Sequence, residues 1–255
     1  MYPHENLLYP HENLRGLGIP GTLGGMNDAG KVSTQGSTVT TQGSTVSTQG
    51  STVEEWTRAL AESTGSPGGG AGTGVMLAIA ASLTSMVAGY TEGDQAGLAD
   101  VHARARALRE TALTLADQDA EASTAFGAAF RLDPGPERDD AIHRASVAAA
   151  KASAVLGERA IEAIKDLAWL ASHGNPALIA DVVVACGALR AAIAGARTNV
   201  SFDLSSLTSA GADLEEVRKD HPHLWDTVSR LSNALDRIDE LTASVDHKAA
   251  PTDGL

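Results

Sequence analysis

One carboxylate interrupts the apolar face of a long predicted helix. Apolar residues recur at steps of three and four between Leu98 and Ala129, which is the spacing of a core-facing helical stripe. Asp119 falls on that stripe. A carboxyl group there must be paired, have a raised pKa, or open onto a cavity. Asp119 is therefore the first candidate for acid/base chemistry. Alternatively, it sets the packing register or pairs with Arg131 or Arg144.

A second predicted helix carries polar residues beside its apolar stripe. Asp181 lies three residues after Leu178, at the edge of the stripe, and Asn199 continues the same spacing at the far end. Asn175 precedes Pro176 just before this helix. Asn175 is a candidate ligand-binding residue, but Asn at the N-cap followed by Pro at the first helical position is also how many helices begin.

A glycine cluster opens the uncharged stretch from residue 63 to residue 91. Its sequence SPGGGAGTG contains Pro67 followed by Gly68, Gly69 and Gly70. Glycines without side chains allow a ligand to approach backbone N–H groups at a positive helix N-terminus, although the cluster is equally compatible with a flexible joint. The apolar segment that follows is short for a membrane span, lacks flanking basic residues and is rich in small residues. We therefore expect a helix buried inside a bundle.

Composition excludes several other functions. The net charge of −13 argues against nucleic acid and anionic membrane surfaces as partners. The single cysteine, Cys186, excludes an internal disulfide framework and a cysteine-based zinc site, and we expect it to be a small buried residue. His221 and His223 flank a proline and are a weak metal-site candidate. Because the N-terminus lacks the pattern of a signal peptide, the sequence predicts a cytoplasmic protein without membrane contact.

The helical periodicity predicts an all-α, multi-helix bundle. A capping box at Thr52 and Glu55 begins the ordered part, and DPGP and HGNP separate later helices. One helix has a possible break near Gly157. The tandem heptads STQGSTV, TTQGSTV and STQGSTV are too polar to form a core. We therefore predict a disordered leader over residues 1–50, a helical domain over 51–248 and a disordered tail over 249–255.

Four segments in a fixed order resemble the cyclodeaminase/cyclohydrolase family. This family comprises the C-terminal domain of formimidoyltransferase-cyclodeaminase and free-standing methenyltetrahydrofolate cyclohydrolases. The resemblance covers roughly residues 51–208. The segments are TVEEWTRALAESTGSPGGG, LADQDAEASTAFGAAFRL, RDDAIHRASVAAAKASAVLGERAIEAI and HGNPALIADVVVACGALRAAIAGARTNVSFDL.

The resemblance implies a helical homodimer that binds a tetrahydrofolate derivative as substrate in a cleft near the subunit interface. Residues 67–70 would lie against the folate. Asn175 and Asn199 would help to bind it, and Asp119 and Asp181 would serve in catalysis, with Asp119 the first choice as acid/base. The two family reactions, hydrolysis of methenyltetrahydrofolate and loss of ammonia from its formimino counterpart, need proton transfer rather than a metal or a permanently bound cofactor.

The sequence departs from the family pattern at several positions. Ala71, Ala177, Ala180 and Asp203 replace the usual serine, asparagine, serine and asparagine, and EGDQ stands where a lysine often occurs. These losses weaken the expected contacts with the glutamate tail and the pterin. Two alternatives therefore remain, which are an enzyme of the same fold with another substrate and a non-catalytic helical dimer. The absence of a linked transferase domain favours the cyclohydrolase reaction slightly.

Overall fold

The computed structural model describes residues 46–62, 65–93, 97–210 and 213–252, apart from the side chains of residues 209 and 210. The described part is all-helical, as predicted, and contains no β-strand. Two 3₁₀ turns, Pro176–Leu178 and Leu207–Ala210, accompany seven α-helices. The helices are α1 (Val53–Ala61), α2 (Gly69–Gly89), α3 (Leu98–Phe130), α4 (Pro136–His173), α5 (Ile179–Ser206), α6 (Leu214–Asp220) and α7 (Pro222–Ala249).

Local sequence signals account for most helix boundaries. Thr52 caps α1, accepting from the N–H of Glu55 at 3.2 Å, while the Glu55 carboxylate accepts from the N–H of Thr52 at 2.8 Å, which completes the predicted capping box. Gly135, at φ 156°, precedes Pro136 at the first position of α4. The possible break near Gly157 was wrong, because α4 is continuous there and Gly157 instead lets Leu231 and Ala196 approach its backbone.

Helix α2 packs between α3 and α5, and small residues bring the three backbones together. A Cβ at Gly74 would lie 2.7 Å from the Cβ of Ala116 on α3. A Cβ at Gly195 on α5 would clash with the hydroxyl of Thr73. On α2 itself, Leu77 and Val87 are fully buried. Glycine on both sides of α2 is therefore a packing requirement, since no larger residue fits without displacing a neighbour.

Two described helical segments have the length and hydropathy of a membrane span. They are Gly69–Gly89, whose most apolar window is 56% buried, and Pro176–Ser206, whose window is 33% buried. A buried core helix of a globular protein satisfies the same criteria, and α2 matches that description because it is enclosed by α3 and α5. The absence of a membrane partner stays a prediction.

The last heptad copy, residues 47–53, is anchored on α3. The Asp117 carboxylate accepts from the Ser47 hydroxyl at 3.1 Å and from the Thr48 N–H at 2.5 Å. The amide of Gln49 donates to the Thr114 hydroxyl at 3.2 Å, and the indole of Trp56 donates to the Thr48 hydroxyl at 3.2 Å. Three of the predicted leader's last residues, Ser47, Thr48 and Gln49, thus hold the chain beside Trp56. The rest of the predicted leader, residues 1–45, and the end of the predicted tail, residues 253–255, lie outside the described residues.

The anchoring contacts predict that the heptad copies are interchangeable. Deleting Ser47–Val53 brings the preceding copy, TTQGSTV, directly before Glu54, with only a serine-to-threonine difference at its first position. We expect the free energy of unfolding to fall by less than about 1 kcal/mol, because the same hydrogen-bonding groups are restored. Asp117→Ala should lower it by about 1–3 kcal/mol, because several donors lose their acceptor. Urea denaturation measures both.

The matched control is deletion of Ser47–Ser51, which leaves Thr52 in place but brings Gln42, Gly43 and Ser44 to the positions of Ser47, Thr48 and Gln49. This variant should be destabilised like Asp117→Ala, because neither hydroxyl group that takes part in the anchoring is restored. Equal destabilisation by the five-residue and the seven-residue deletions would contradict interchangeability of the copies.

Candidate active site

Asp119 lies at the centre of α3 and against the first turn of α2. Its side chain is almost completely buried, at 5% exposure. A Cβ at Gly70 would overlap the Asp119 carboxyl group, so the close approach requires glycine at that position. The glycine cluster and the buried carboxylate, which the sequence presents as separate features, are therefore two halves of one contact.

The Asp119 carboxyl group takes the place of a missing helix cap. Helix α2 has neither a side-chain cap nor an acidic residue in its first turn. Asp119 accepts a hydrogen bond from the backbone N–H of Ala71 and, at 3.4 Å each, from the hydroxyls of Ser123 and Ser153. Burial raises the pKa of Asp119, while these three hydrogen bonds act in the opposite direction.

The alternative in which an arginine neutralises Asp119 is not what the structure shows. No lysine or arginine forms an ion pair with Asp119 within the described residues. The carboxyl group instead opens onto a cavity. Of the three possibilities for a carboxylate on an apolar stripe, the structure combines a raised pKa with access to a cavity.

The cavity has a volume of about 360 Å³ and lies between the glycine loop, α3, α4 and α5. It brings together five of the residues singled out in the sequence, Gly68, Gly69, Gly70, Asp119 and Asn199. Pro67 is buried beside the loop but does not line the cavity. The remaining lining residues are Gly65, Ser123, Phe126, Gly127, Ala149, Ser153, Phe202 and Asp203.

Asp203 is the cavity residue whose importance the sequence analysis missed. We treated it as a lost asparagine, yet it places a second carboxyl group in the cavity. Burial, followed by the negative charge of Asp119, raises the pKa of Asp203 to about 7. The signal was available in the sequence, because residues 199 and 203 are four apart and so share one helix face.

Asn175 and Asp181 lie away from this cavity. The Asn175 side chain caps the 3₁₀ turn, accepting from the N–H of Ala177 at 3.0 Å and donating to the carbonyl of Tyr90 at 3.1 Å. Tyr90 follows the C-terminal end of α2, whereas Gly70 lies in its first turn. The 20 residues between them correspond to about 30 Å of helix. Asp181, partly buried, is in the first turn of α5 near that distant end. The functional roles of both residues stay predictions.

The described residues contain no cluster of three or more His, Cys, Asp or Glu side chains arranged to hold a metal ion. The ring of His221 lies near that of His143, with the centroids 6.1 Å apart and the ring planes inclined by 45°. Cys186 is fully buried, and burial raises the pKa of its thiol to about 11, as befits a packing residue. The polar groups that line the cavity are two carboxyl groups, the amide of Asn199, the hydroxyls of Ser123 and Ser153, and backbone N–H groups.

Comparison with known proteins identifies the family. The family model described as Formiminotransferase-cyclodeaminase matches residues 52–220, from the N-cap of α1 to the end of α6. The chain belongs to this family. All residues that line the cavity fall inside the matched segment. No curated protein matches the chain significantly.

A solved structure supports the same fold for this Formiminotransferase-cyclodeaminase family member. The chain is similar to the crystal structure of formiminotetrahydrofolate cyclodeaminase from Thermotoga maritima at 2.80 Å resolution, with a TM-score of 0.63 and 22% sequence identity. The similarity covers 77% of this chain and 98% of that one. At this identity the likeness establishes the fold, and the family resemblance found in the sequence is confirmed.

The raised pKa of Asp203 predicts a pH-dependent loss of stability. The folded protein holds a proton on this carboxyl group that the unfolded chain releases, so the free energy of unfolding should fall as the pH rises from about 4 to about 7. Asp203→Asn should remove this loss, which we expect to be on the order of 1 to 2 kcal/mol because solvent partly screens the group. Urea denaturation at a series of pH values from about 4 to about 8 measures this change in the free energy of unfolding.

The control for this prediction is Asp133→Asn, at an exposed position in the α3–α4 connection. It should leave the pH dependence of unfolding as in the wild type. If Asp203→Asn and the wild type lose stability in parallel as the pH rises, the carboxyl group titrates normally and the prediction is wrong.

Proposed function

We propose that this protein acts on a tetrahydrofolate derivative in the Asp119 cavity, as a methenyltetrahydrofolate cyclohydrolase or a formimidoyltetrahydrofolate cyclodeaminase. The observation that carries the proposal is the Asp119 carboxyl group, which is buried, lacks a cationic partner among the described residues and lines a cavity at the N-terminus of α2. A buried carboxyl group whose pKa is raised is better suited to both accepting and donating a proton than one at its ordinary pKa. Family membership supplies the substrate class.

Both reactions replace one bond to a single carbon by another. They need proton transfer only at the attacking and the departing atoms. In the hydrolysis, the oxygen of water bonds to the amidinium carbon, the C–N5 bond breaks, and 10-formyltetrahydrofolate and a proton result. In the deamination, N10 bonds to the formimino carbon, the bond to the outer nitrogen breaks, and one added proton leaves with ammonia, which gives the methenyl cation. We assign Asp119 to remove the proton from the attacking water or N10 and to return a proton to the departing nitrogen.

The rest of the cavity is suited to holding a planar ring. The backbone of Gly68, Gly69 and Gly70 presents the positive end of α2, and the rings of Phe126 and Phe202 provide apolar surface. The cavity is near the lower limit for small-molecule sites, so we infer that it takes the reacting pterin end of the folate. The remainder of the ligand would then extend beyond the cavity.

One observation favours the alternative of a different substrate. No lysine or arginine among the described residues lines the cavity, and the sequence lacks the lysine that often follows the second helix of the family. The anionic glutamate tail of a folate would extend beyond the cavity and would need a cationic partner outside this lining. An enzyme of the same fold with a substrate that lacks an anionic tail would need no such partner.

We propose further that the protein is a homodimer and that α5 contributes to its interface. Val184 and Phe202, which are 60% and 62% exposed, are 18 residues apart, equal to five helical turns, and so lie on one side of α5. Ile79 on the neighbouring α2 is 48% exposed. A second subunit that covers this side of α5 would reach Phe202 at the cavity and would account for the exposed apolar character of the two span-like helices.

A dimer of this kind would place Asn175 and Asp181 of one subunit near the cavity of the other. If two α5 helices pack antiparallel about a two-fold axis, the beginning of one lies near the end of the other. The predicted catalytic role of Asp181 and binding role of Asn175 would then be exercised in the cavity of the partner subunit. This arrangement reconciles the two predicted roles with the distance between those residues and Asp119 in one chain.

The proposed chemistry predicts the effect of Asp119→Asn. The amide fills the same space and keeps an oxygen acceptor for the Ala71 N–H, but it cannot take or give the proton. We expect the enzyme-dependent loss of methenyltetrahydrofolate absorbance, or its appearance from the formimino compound, to fall by about 10²- to 10⁴-fold. Near-wild-type turnover by this variant would remove Asp119 from the mechanism. If the wild type neither turns over nor binds any folate, another substrate or a non-catalytic dimer is indicated.

Sharing of one site between subunits predicts complementation. Asp119→Asn and Asp181→Asn homodimers should each be inactive, whereas co-expression should restore about a quarter of the wild-type activity, because half the dimers are mixed and each contains one intact site. Turnover of the purified mixture measures this. No recovery would place Asp181 outside the partner's site.

Two control substitutions test the surface through which the subunits would pair. Val184→Glu should prevent complementation and lower the mass in solution to that of a monomer, because it places a charge on the apolar side of α5. Val53→Glu makes the same change at a position that is 82% exposed on α1 and should leave the mass unchanged.

A further inference from the structure

Asp203 changes the chemical character of the cavity. It lies one helical turn after Asn199 on α5, and both residues line the cavity that holds Asp119. The family resemblance noted in the sequence implies an amide at this position, where this chain has a carboxyl group. An amide offers both a donor and an acceptor, whereas an ionised carboxylate offers acceptors only, with a negative charge. The replacement therefore alters which ligands the cavity accepts.

We propose that Asp203 is a specificity-determining residue that accepts hydrogen bonds from a cationic amidinium group of the ligand and so discriminates against the neutral carbonyl isostere. The protonated formimino group is such an amidinium, and the formyl group is its neutral counterpart, with an oxygen in place of NH₂⁺. For folates this inference rests on the proposed function. The selection for an amidinium over a carbonyl is a property of the cavity that is testable without a folate.

The charges around the cavity support this assignment. Two carboxyl groups share a volume of about 360 Å³, and the lining contains no lysine or arginine from the described residues to neutralise them. Arg131 approaches the lining residue Gly127, where its Nη1 would lie 3.6 Å from a Cβ, but Arg131 is exposed and forms no ion pair with Asp119 or Asp203 within the described residues. A ligand that carries its own positive charge supplies what the lining lacks, and a charge-assisted hydrogen bond in a partly dry site is stronger than a neutral one.

The electrostatic interaction between Asp203 and Asp119 also favours a cationic ligand. The negative charge of Asp119 contributes to raising the pKa of Asp203. A bound cation reverses this effect, since it stabilises the charged form of both groups. A neutral carbonyl oxygen beside Asp203 would instead face a carboxyl group that can donate a hydrogen bond to it only when protonated. The cavity therefore has an electrostatic reason to prefer the amidinium.

The first test compares two isosteric folates. Binding of 5-formimino- and 5-formyltetrahydrofolate is measured by calorimetry in Asp119→Asn protein, which prevents turnover, and in the Asp119→Asn/Asp203→Asn double variant. The pterin, aminobenzoyl and glutamate groups are common to both ligands, so the ratio of the two Kd values isolates the reacting group. We expect a preference of about tenfold or more for the formimino compound, which falls to within about threefold in the double variant.

The second test removes the dependence on folate. Benzamidinium and benzamide form the same isosteric pair, and their binding to the wild type and to Asp203→Asn is followed by ligand-observed NMR. Benzamidinium should bind the wild type more tightly than benzamide does, and Asp203→Asn should abolish the difference. Circular dichroism confirms that each variant is folded. Asp203→Ser, a smaller replacement, takes the place of Asp203→Asn if that variant does not fold.

The outcomes separate the two proposals. An amidinium preference that survives Asp203→Asn, or no preference in the parent proteins, overturns the role of Asp203. If neither folate binds, the proposed function fails. The benzamidinium pair then decides the inference alone, because an Asp203-dependent preference supports it and equal or absent binding of the two probes overturns it.

Discussion

The contact between the first turn of α2 and the Asp119 carboxyl group constrains the rest of the structure. Burying a carboxyl group costs free energy that an apolar stripe cannot return. The first N–H groups of a helix, however, have no partners within that helix, and α2 brings no capping side chain of its own. The Asp119 carboxyl group therefore accepts a hydrogen bond from the Ala71 N–H, which gains the partner that it lacks within α2. The contact is possible only because Gly70 has no side chain, since a Cβ would occupy the position of the carboxyl oxygens.

This contact also explains why α2 is so poor in large and charged residues. To bring its N-terminus onto Asp119, α2 must lie close to α3 along its length, and Gly74 against Ala116 maintains that separation one turn further on. On its other side, Gly195 of α5 admits Thr73 in the same way. The remaining side of α2 carries the exposed Ile79, and the neighbouring α5 carries the exposed Val184. This is the surface that we propose a second subunit covers.

The centre of the candidate site could be predicted from the sequence because a charged residue there falls on a helical stripe that is expected to be buried. Asp119 breaks a helical stripe, and a glycine cluster precedes an uncharged helix, so both features are visible without coordinates. The start of α2 was less accessible. The helix begins at Gly69, inside the glycine cluster, because tertiary packing overrides the low helix propensity of successive glycines. The anchoring of residues 47–49 on α3 was missed for a related reason, since it depends on Asp117 and Thr114, which are about 70 residues away in the sequence.

Asp203 was overlooked because a comparison with a family pattern registers what is lost rather than what is gained. An asparagine-to-aspartate difference changes few atoms, but in a cavity that already holds a buried carboxyl group it adds a second titrating group and a negative charge. The two groups are not equivalent. Asp119 is held by Ala71, Ser123 and Ser153, so its position is set by the fold, whereas burial and Asp119 dominate the environment of Asp203 and no hydrogen bond contributes to its pKa shift. A fixed carboxyl group suits proton transfer at a defined atom, and one without hydrogen-bond partners among the described residues retains its acceptors for a ligand. The division of roles that we propose, acid/base for Asp119 and cation recognition for Asp203, follows from this difference.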